Sequence, residues 1–354
     1  MEQNIIHLGD CSDVLKTIPD ESVNCCVTSP PYYGLRDYQT AKWEGGDDKC
    51  DHLYQKGGTN PEISSKQISN AGTIYSQYER WCKKCGAVRI DSQIGLEETP
   101  EAYVQKMVEV FREVRRVLKK NGTVFLNLGD SYAGSGMGAA NYPHLSSEKQ
   151  KSNNGSTTVK GRGGLTYGLK PKDLIGIPWM VAFALRSDGW YLRQDIIWNK
   201  PNPMPESVTD RCTKAHEYIF LLSKSARYYY DAEAVKEAAN YAGENRGKSS
   251  NVSPKGITVM DNKQYDYRNK RSVWTVTTKP YNEAHFATYP EDLISPCILA
   301  GCPENGIVLD PFMGAGTTGL VARKLNRNYI GIELNAEYKR IADERIMNEI
   351  GLFH

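Results

Sequence analysis

Two stretches of this sequence bring reactive groups together, one near each end of the chain. Near the start, Thr28-Ser29-Pro30-Pro31-Tyr32-Tyr33 follows the apolar run Val23 to Val27. Two prolines cannot continue a sheet ladder, so a strand ending here presents a stiff loop carrying a hydroxyl, carbonyls and a phenol ring. Such a loop holds fixed hydrogen-bond acceptors beside an aromatic face. Near the other end, Ile307-Val308-Leu309-Asp310-Pro311-Phe312-Met313-Gly314-Ala315-Gly316-Thr317-Thr318 reads as a strand, an acidic residue, a glycine turn and a helix start. Glycines let backbone approach a ligand closely, and a helix N-terminus with Thr317 and Thr318 can hold a carboxylate. Glu333 closes the next strand pattern, where an acidic side chain can accept hydrogen bonds from ribose hydroxyls. A tight βα turn alone would account for Gly-Ala-Gly but not for Asp310, Phe312 and Glu333 beside it. The spacing departs from Gly-x-Gly-x-x-Gly and lacks the lysine of a phosphate-binding loop, which disfavours NAD and ATP.

A third cluster is Cys50-Asp51-His52 followed by Cys82-Lys83-Lys84-Cys85-Gly86. Cys-x-x-Cys before Gly is a common zinc knuckle, and Cys50 with His52 completes the four ligands of a closed tetrahedral site. The segment around it is polar and has little core of its own, so a structural zinc can supply its folding energy. The alternative is four unligated side chains in a loop. A redox pair is disfavoured because the flanks do not read as a thioredoxin-like unit.

The elements that must position these groups follow from periodicity. Residues 4–8 read as a strand, Gly9-Asp10 as a turn, Ser12 as the cap of a helix to Ile18, and Val23 to Thr28 as a second strand. Such a β-α-β opening favours a parallel sheet whose ligands gather at the carboxyl ends of the strands. Thr99-Pro100 starts a helix with Val104, Met107, Val108, Phe111, Val114, Val117 and Leu118 on one side, ending at Asn121-Gly122 before a strand from Thr123 to Leu128. A helix from Leu174 to Arg186 closes at Asp188-Gly189. Trp190 to Trp198 and Glu217 to Leu222 suit antiparallel neighbours at one sheet edge. Glu291 to Ala300 and Thr317 to Leu325 read as helices, Gly306 to Asp310 and Tyr329 to Glu333 as strands, and a last helix starts at Asn335.

Length and charge bound the rest. The chain has 354 residues, enough for one large domain with insertions. Lys and Arg number 44 against 42 Asp and Glu, so any nucleic-acid footprint must be local. The nine cysteines lack a secretory context, which favours reduced thiols or a metal site over disulfides. No leader pattern or bilayer-length apolar run is present, so a cytoplasmic protein with no membrane partner is expected.

Asp310-Pro311-Phe312-Met313-Gly314-Ala315-Gly316-Thr317 resembles the S-adenosylmethionine motif of DNA amino-methyltransferases, and Ser29-Pro30-Pro31-Tyr32 resembles their catalytic motif. The catalytic motif precedes the cofactor motif, which resembles the β-class permutation of that family. The resemblance also covers Gly9-Asp10 and His285 to Pro290, but not the insertion. It implies an α/β, Rossmann-like methyltransferase fold, with a mostly parallel seven-stranded sheet, an antiparallel hairpin and circularly permuted motif order. It implies S-adenosylmethionine as cofactor and double-stranded DNA as partner. It further implies that Asp10 contacts the cofactor adenine amino group, Phe312 its ring face, Glu333 its ribose, and Thr317 with Phe286 and Thr288 its methionine end. A capping role explains Asp10 equally, and a helix lead-in explains Phe286 to Thr288.

The chemistry suits these residues. An exocyclic amino nitrogen is a poor nucleophile because its lone pair is delocalised into the ring. The enzyme must hold the amino hydrogens while the methyl sulfonium approaches in line. Ser29 Oγ and the Pro30 carbonyl can accept those hydrogens, Pro31 stiffens the loop, and Tyr32 can stack on a base flipped from the duplex. Serine in the first position resembles the cytosine-N4 group, with adenine N6 as the alternative. Carbon-5 methylation is disfavoured, because the Pro-Cys here, Pro296-Cys297, lies in an apolar helical stretch.

These readings divide the chain into a catalytic domain (1–37, 99–130, 173–231 and 286–354), a zinc insertion (38–98), a flexible Gly/Ser/Lys-rich loop (131–172) and a DNA target-recognition region (232–285). Lys149, Lys151, Lys160, Arg162, Lys170 and Lys172, with Arg246, Lys248, Lys255, Lys263, Arg268, Lys270 and Arg271, are expected to flank the catalytic edge. Tyr265, Tyr267 and Trp274 are expected to contact bases or sugars. A cognate restriction endonuclease and a second copy of the chain stand as candidate partners. More distant alternatives are an RNA or protein methyltransferase and a non-catalytic, zinc-stabilised DNA-binding protein.

Overall fold

The computed structural model describes residues 2–34, 38, 40, 42–50, 52, 82, 84–97, 99–133, 169–170, 172–239, 266–279 and 288–351. Its centre is a sheet of eight strands: β1 (Ile5–Leu8), β2 (Val23–Thr28), β5 (Leu118–Leu128), β6 (Tyr191–Asn199), β7 (His216–Ser223), β10 (Val273–Thr275), β11 (Ile307–Asp310) and β12 (Asn328–Glu333). Across the sheet they run in the order β1-β12-β11-β2-β5-β7-β6-β10. Strand β7 is antiparallel to both of its neighbours, and every other pairing in the sheet is parallel. The expected mostly parallel sheet with a β6–β7 hairpin is therefore present. The short β10 adds an eighth strand outside β6. Two small ribbons lie apart from the sheet: β3 (Lys42–Glu44) with β4 (Val88–Ile90), and β8 (Glu237–Ala238) with β9 (Tyr267–Arg268).

Helices cover both faces. On one, α1 (Cys11–Thr17), α2 (Pro100–Val117) and α3 (Ile177–Ser187) bury Leu15, Phe111 and Val181. On the other, α4 (Glu291–Gly301), α5 (Thr317–Lys324) and α6 (Ala336–Gly351) bury Leu293, Leu320 and Ile346. The central β2 is apolar toward both cores, with Val23, Cys25, Cys26, Val27 and Thr28 buried. A strand covered on both sides reads as a continuous apolar run, and its hydrophobic burial fixes the sheet between the two helical layers.

Two of the departures from the sequence expectation have a local cause. Helix α2 stops at Val117 because Leu118 turns to extended backbone (φ −68°, ψ 139°) and begins β5. The residues before Thr123 are absorbed by an irregularity opposite β2, where Val23 pairs with Leu118 and Cys25 with Thr123. The cap of α1 is Asp10, whose Oδ1 accepts from Ser12 N at 2.8 Å, and not Ser12. Among the described residues, no helix is long and apolar enough to cross a membrane.

Candidate active site and metal centre

Parallel strands carry their carboxyl ends to one edge, and the candidate residues collect there. Ser29 follows β2, Asp310 ends β11, Glu333 ends β12 and Asp10 follows β1. The ladder sets Leu309 beside Cys26 and Leu8 beside Glu333, so the two motifs become neighbours despite their distance in sequence.

Asp310 is fully buried and is bound by four donors. Thr28 Oγ1 and Phe312 N reach Oδ1 at 2.6 and 3.0 Å, while Thr318 Oγ1 and Tyr289 Oη reach Oδ2 at 2.6 and 3.0 Å. Burial pushes its carboxyl above the ordinary range, and the donors oppose that push. Thr318 also bonds Tyr289, so its hydroxyl is directed inward. The Thr317 hydroxyl accepts from Arg345 Nη1 at 2.9 Å.

Glu333 Oε2 accepts from Gly314 N and Oε1 from Asn335 N, both at 2.8 Å. Burial pushes this carboxyl up to about 7, against the backbone donors. Gly314 (φ +53°) and Gly316 (φ +80°) both occupy the left-handed region, but their surroundings differ. A Cβ on Gly316 would lie 2.9 Å from Ala342 Cβ, whereas among the described residues a Cβ on Gly314 would meet only Phe312 O at 4.0 Å. Gly316 therefore lets α6 pack closely, and Gly314 is uncrowded by the described residues. Half-buried Phe312 follows on the same loop. Thr288 is half-buried just before α4, and Phe286 lies outside the described residues.

The Ser29 loop is braced from three sides. Tyr103 Oη donates to Pro31 O at 2.9 Å, Gly34 N donates to Gly95 O at 2.8 Å, and the Tyr32 ring lies over Gly129. A Cβ on Gly129 would stand 2.5 Å from Tyr32 Cε2. Tyr32 Oη donates to Glu217 Oε2 at 2.8 Å, with Asn127 Oδ1 at 3.2 Å, and Ser29 Oγ donates to Tyr32 Oη at 3.4 Å. Lys200 Nζ pairs with Glu217 Oε1. Burial, with Glu217 second, raises the Tyr32 phenol well above its usual range and keeps it a donor.

Sequence reading misses Asp130, Glu217 and Lys200, and it covers Tyr289 within His285 to Pro290 without giving it a role. Asp130 accepts from Gly176 N and Ile177 N at 3.0 and 3.2 Å and so anchors the start of α3. The available signal for it is its place directly after β5, at the same strand end as the other candidates. No local pattern marks Glu217, which depends on contacts across the fold.

In the insertion, Cys50, His52, Cys82 and Cys85 converge, their ligand atoms all within 4.8 Å of one another. Cys50 Sγ lies 3.8 Å from Cys82 Sγ, and Cys85 Sγ lies 3.5 Å from His52 Nδ1. A tetrahedral zinc with these ligand types has edges of about 3.5–3.8 Å, so the donor set fits. Trp43 stacks on His52 with centroids 4.7 Å apart, and a Cβ on Gly46 would press to 2.8 Å from Cys85 Sγ.

Among the described basic residues, Lys270 departs from the expected placement. Lys170 and Lys172 pair with Asp173 and Asp210, and Arg268 and Arg271 share Glu237. Lys270 lines a pocket with Arg193 and Tyr228 near the start of β6, at the end of the sheet away from Ser29, not beside it. Trp274 is 8% exposed because β10 buries it in the second core, which removes it from base contact. Tyr267 is exposed. Lys149, Lys151, Lys160, Arg162, Arg246, Lys248, Lys255, Lys263 and Tyr265 lie outside the described residues.

A family model described as DNA methylase, covering the N6 and N4 enzymes, matches residues 23–344. The chain belongs to this DNA methylase family. The methyltransferase is 42% identical over 342 residues to the Type II methyltransferase M.SmaI of Serratia marcescens, covering 97% of this chain and 90% of that protein. It is 41% identical over 341 residues to M.Cfr9I of Citrobacter freundii, covering 96% and 87%. Its fold is similar to that of the cytosine-N4-specific PvuII DNA methyltransferase (TM-score 0.54, 16% identity, 98% and 91% of the two chains). It is also similar to TTHA0409 of Thermus thermophilus, solved with S-adenosyl-L-methionine (TM-score 0.51, 19% identity, 98% and 93%).

Proposed function

We propose that this DNA methyltransferase moves the methyl group of S-adenosylmethionine to the exocyclic amino group of a base flipped out of duplex DNA, with cytosine N4 favoured. The observation that carries this reading is the Ser29-Pro30-Pro31-Tyr32 loop at the end of β2 beside the glycine loop at the end of β11. Ser29 Oγ and the Pro30 carbonyl accept the amino hydrogens, so the nitrogen lone pair points toward the donor. On the cofactor side, Glu333 receives the ribose hydroxyls, Gly314 lets the backbone approach, and Phe312 and Asp10 bound the adenine. Asp310 and Thr318 hold the loop from beneath. Thr317 and Thr288 receive the methionine end, a role that the family resemblance extends to Phe286.

A structural zinc held by Cys50, His52, Cys82 and Cys85 belongs to the same reading, supported by the convergence of four donors of suitable type within 4.8 Å of one another. The metal fixes the insertion, and the insertion presents Gly95 to the catalytic loop. M.SmaI and M.Cfr9I are named Type II methyltransferases, which supports a restriction partner for this chain. Expression in a methylation-free host, followed by single-molecule sequencing of its DNA, tests the reading. Modified cytosines at one short sequence are expected; modified adenines would move the assignment to N6, and unmodified DNA would overturn it.

A further inference from the structure

We propose that Glu217 is the terminal acceptor of the proton released by methyl transfer, reached through Tyr32 and Ser29. The inference rests on the reading of Ser29 as the acceptor for the target amine and goes beyond it.

The observation is the direction of a hydrogen-bond chain. Ser29 Oγ donates to Tyr32 Oη at 3.4 Å, and Tyr32 Oη donates to Glu217 Oε2 at 2.8 Å. Lys200 Nζ closes the line on Glu217 Oε1 and lies 4.2 Å from the centre of the Trp198 ring. Asn127 Nδ2 donates to the same Oε2 at 3.2 Å and to Tyr218 O at 3.1 Å, which fixes the carboxylate. A hydroxyl has one hydrogen and two lone pairs. With its hydrogen turned toward Tyr32, Ser29 presents lone pairs to the substrate, and Tyr32 does the same for Ser29.

The chemistry needs such an outlet. As the amino nitrogen attacks, its lone pair forms the new N–C bond and the C–S bond breaks, its electrons returning to sulfur as a neutral thioether. The nitrogen becomes cationic and must lose one hydrogen. That N–H electron pair returns to nitrogen while the proton passes to Ser29 Oγ, the Ser29 proton to Tyr32 Oη, and the Tyr32 proton to Glu217. Both hydroxyls end neutral and Glu217 ends as a carboxylic acid, so atoms and charge balance. Glu217 touches no substrate: it is a positioning residue that acts through the two hydroxyls.

Single-turnover methyl transfer at saturating cofactor to plasmid DNA isolated from a methylation-free host tests this. Glu217→Gln preserves size and one acceptor oxygen but cannot take the proton. The expected rate loss is about 100-fold, the scale of a lost general base. Cofactor affinity should be unchanged. Glu217→Asp, which can still take the proton, should restore part of the rate. Tyr32→Phe breaks the middle link while leaving Lys200 and Glu217 paired, and it decides the matter if Glu217→Gln does not fold. It should lose rate to a similar extent. A Glu217→Gln or Tyr32→Phe enzyme with wild-type rate, or a folded Glu217→Asp enzyme as slow as Glu217→Gln, overturns the relay. Ser29→Ala separates the two readings: full activity there overturns the acceptor role, whereas an inactive Ser29→Ala beside an active Glu217→Gln overturns only the relay.

Discussion

Thr28 donates its hydroxyl hydrogen to Asp310 over 2.6 Å, joining the strand that ends in the Ser29 loop to the strand that ends in the glycine loop. One bond between buried groups thus adds a side-chain tie to the β2–β11 ladder that brings the two motifs together. Thr28→Val keeps the shape and removes the donor, leaving the buried carboxylate with three partners. The expected loss is about 1–3 kcal/mol in urea unfolding, with weaker cofactor binding, and Thr28→Ser should recover most of both.

Glu333 gives a pH signature. Its folded value, about 7, stands above the ordinary 4.5, so between these values the folded protein holds a proton that the unfolded chain has released. Its stabilising contribution is complete below pH 4.5 and is lost as pH rises through about 7. Urea melts of cofactor-free protein from pH 5 to 8 should show this decline, and Glu333→Gln should remove it. Ribose hydroxyls require the ionised form, so cofactor affinity should change in the opposite sense, tightening through pH 7 in calorimetric titrations.

Gly129→Ala would drive a methyl group into the Tyr32 ring, and the ring must move. Displacing a reacting group by about 1 Å costs on the order of 100-fold in rate. Methyl transfer should therefore fall far more than melting temperature. Normal turnover would show that the Tyr32 position is unimportant.

Metal removal tests the insertion. Elemental analysis should find about one zinc per chain, the stoichiometry of a single four-ligand site. Chelation or Cys85→Ser should expose the region around Gly95 to hydrogen exchange and slow methyl transfer, because Gly95 O holds Gly34 N beside the catalytic loop. Equal folding and activity without metal would remove the zinc assignment.

Both motifs are legible because each is contiguous: Ser29 to Tyr32 sits in one loop, and Asp310 to Thr318 in one turn. The helices with regular apolar spacing, such as α2, are readable for the same reason. Glu217 is not legible, since its partner Tyr32 lies 185 residues away and nothing local distinguishes it from a solvated glutamate. Tyr289 lies inside the stretch that the resemblance covers, but nothing local tells that its hydroxyl bonds Asp310. The end of α2 falls earlier than expected because Asn121-Gly122 is a stop signal by type, while the pairing of Leu118 with Val23 ends the helix first. Trp274 misleads because an aromatic among lysines resembles a contact surface, and tertiary burial is invisible in the chain.

The reversed direction of β7 has a consequence for how this sequence can change. Every other strand of the sheet delivers its last residues to the reactive edge, but β7 delivers its first, so Glu217 is set by the ladder that pairs Ile219 with Asn127 and not by the loop before it. Length changes in the connection from β6 to β7, beyond Lys200 and its pairing with Glu217, are therefore expected to leave Glu217 in place. A one-residue slip of β7 would turn Glu217 to the opposite face and cut its line to Tyr32. Tolerance to insertion and intolerance to slippage thus meet within a few residues of each other.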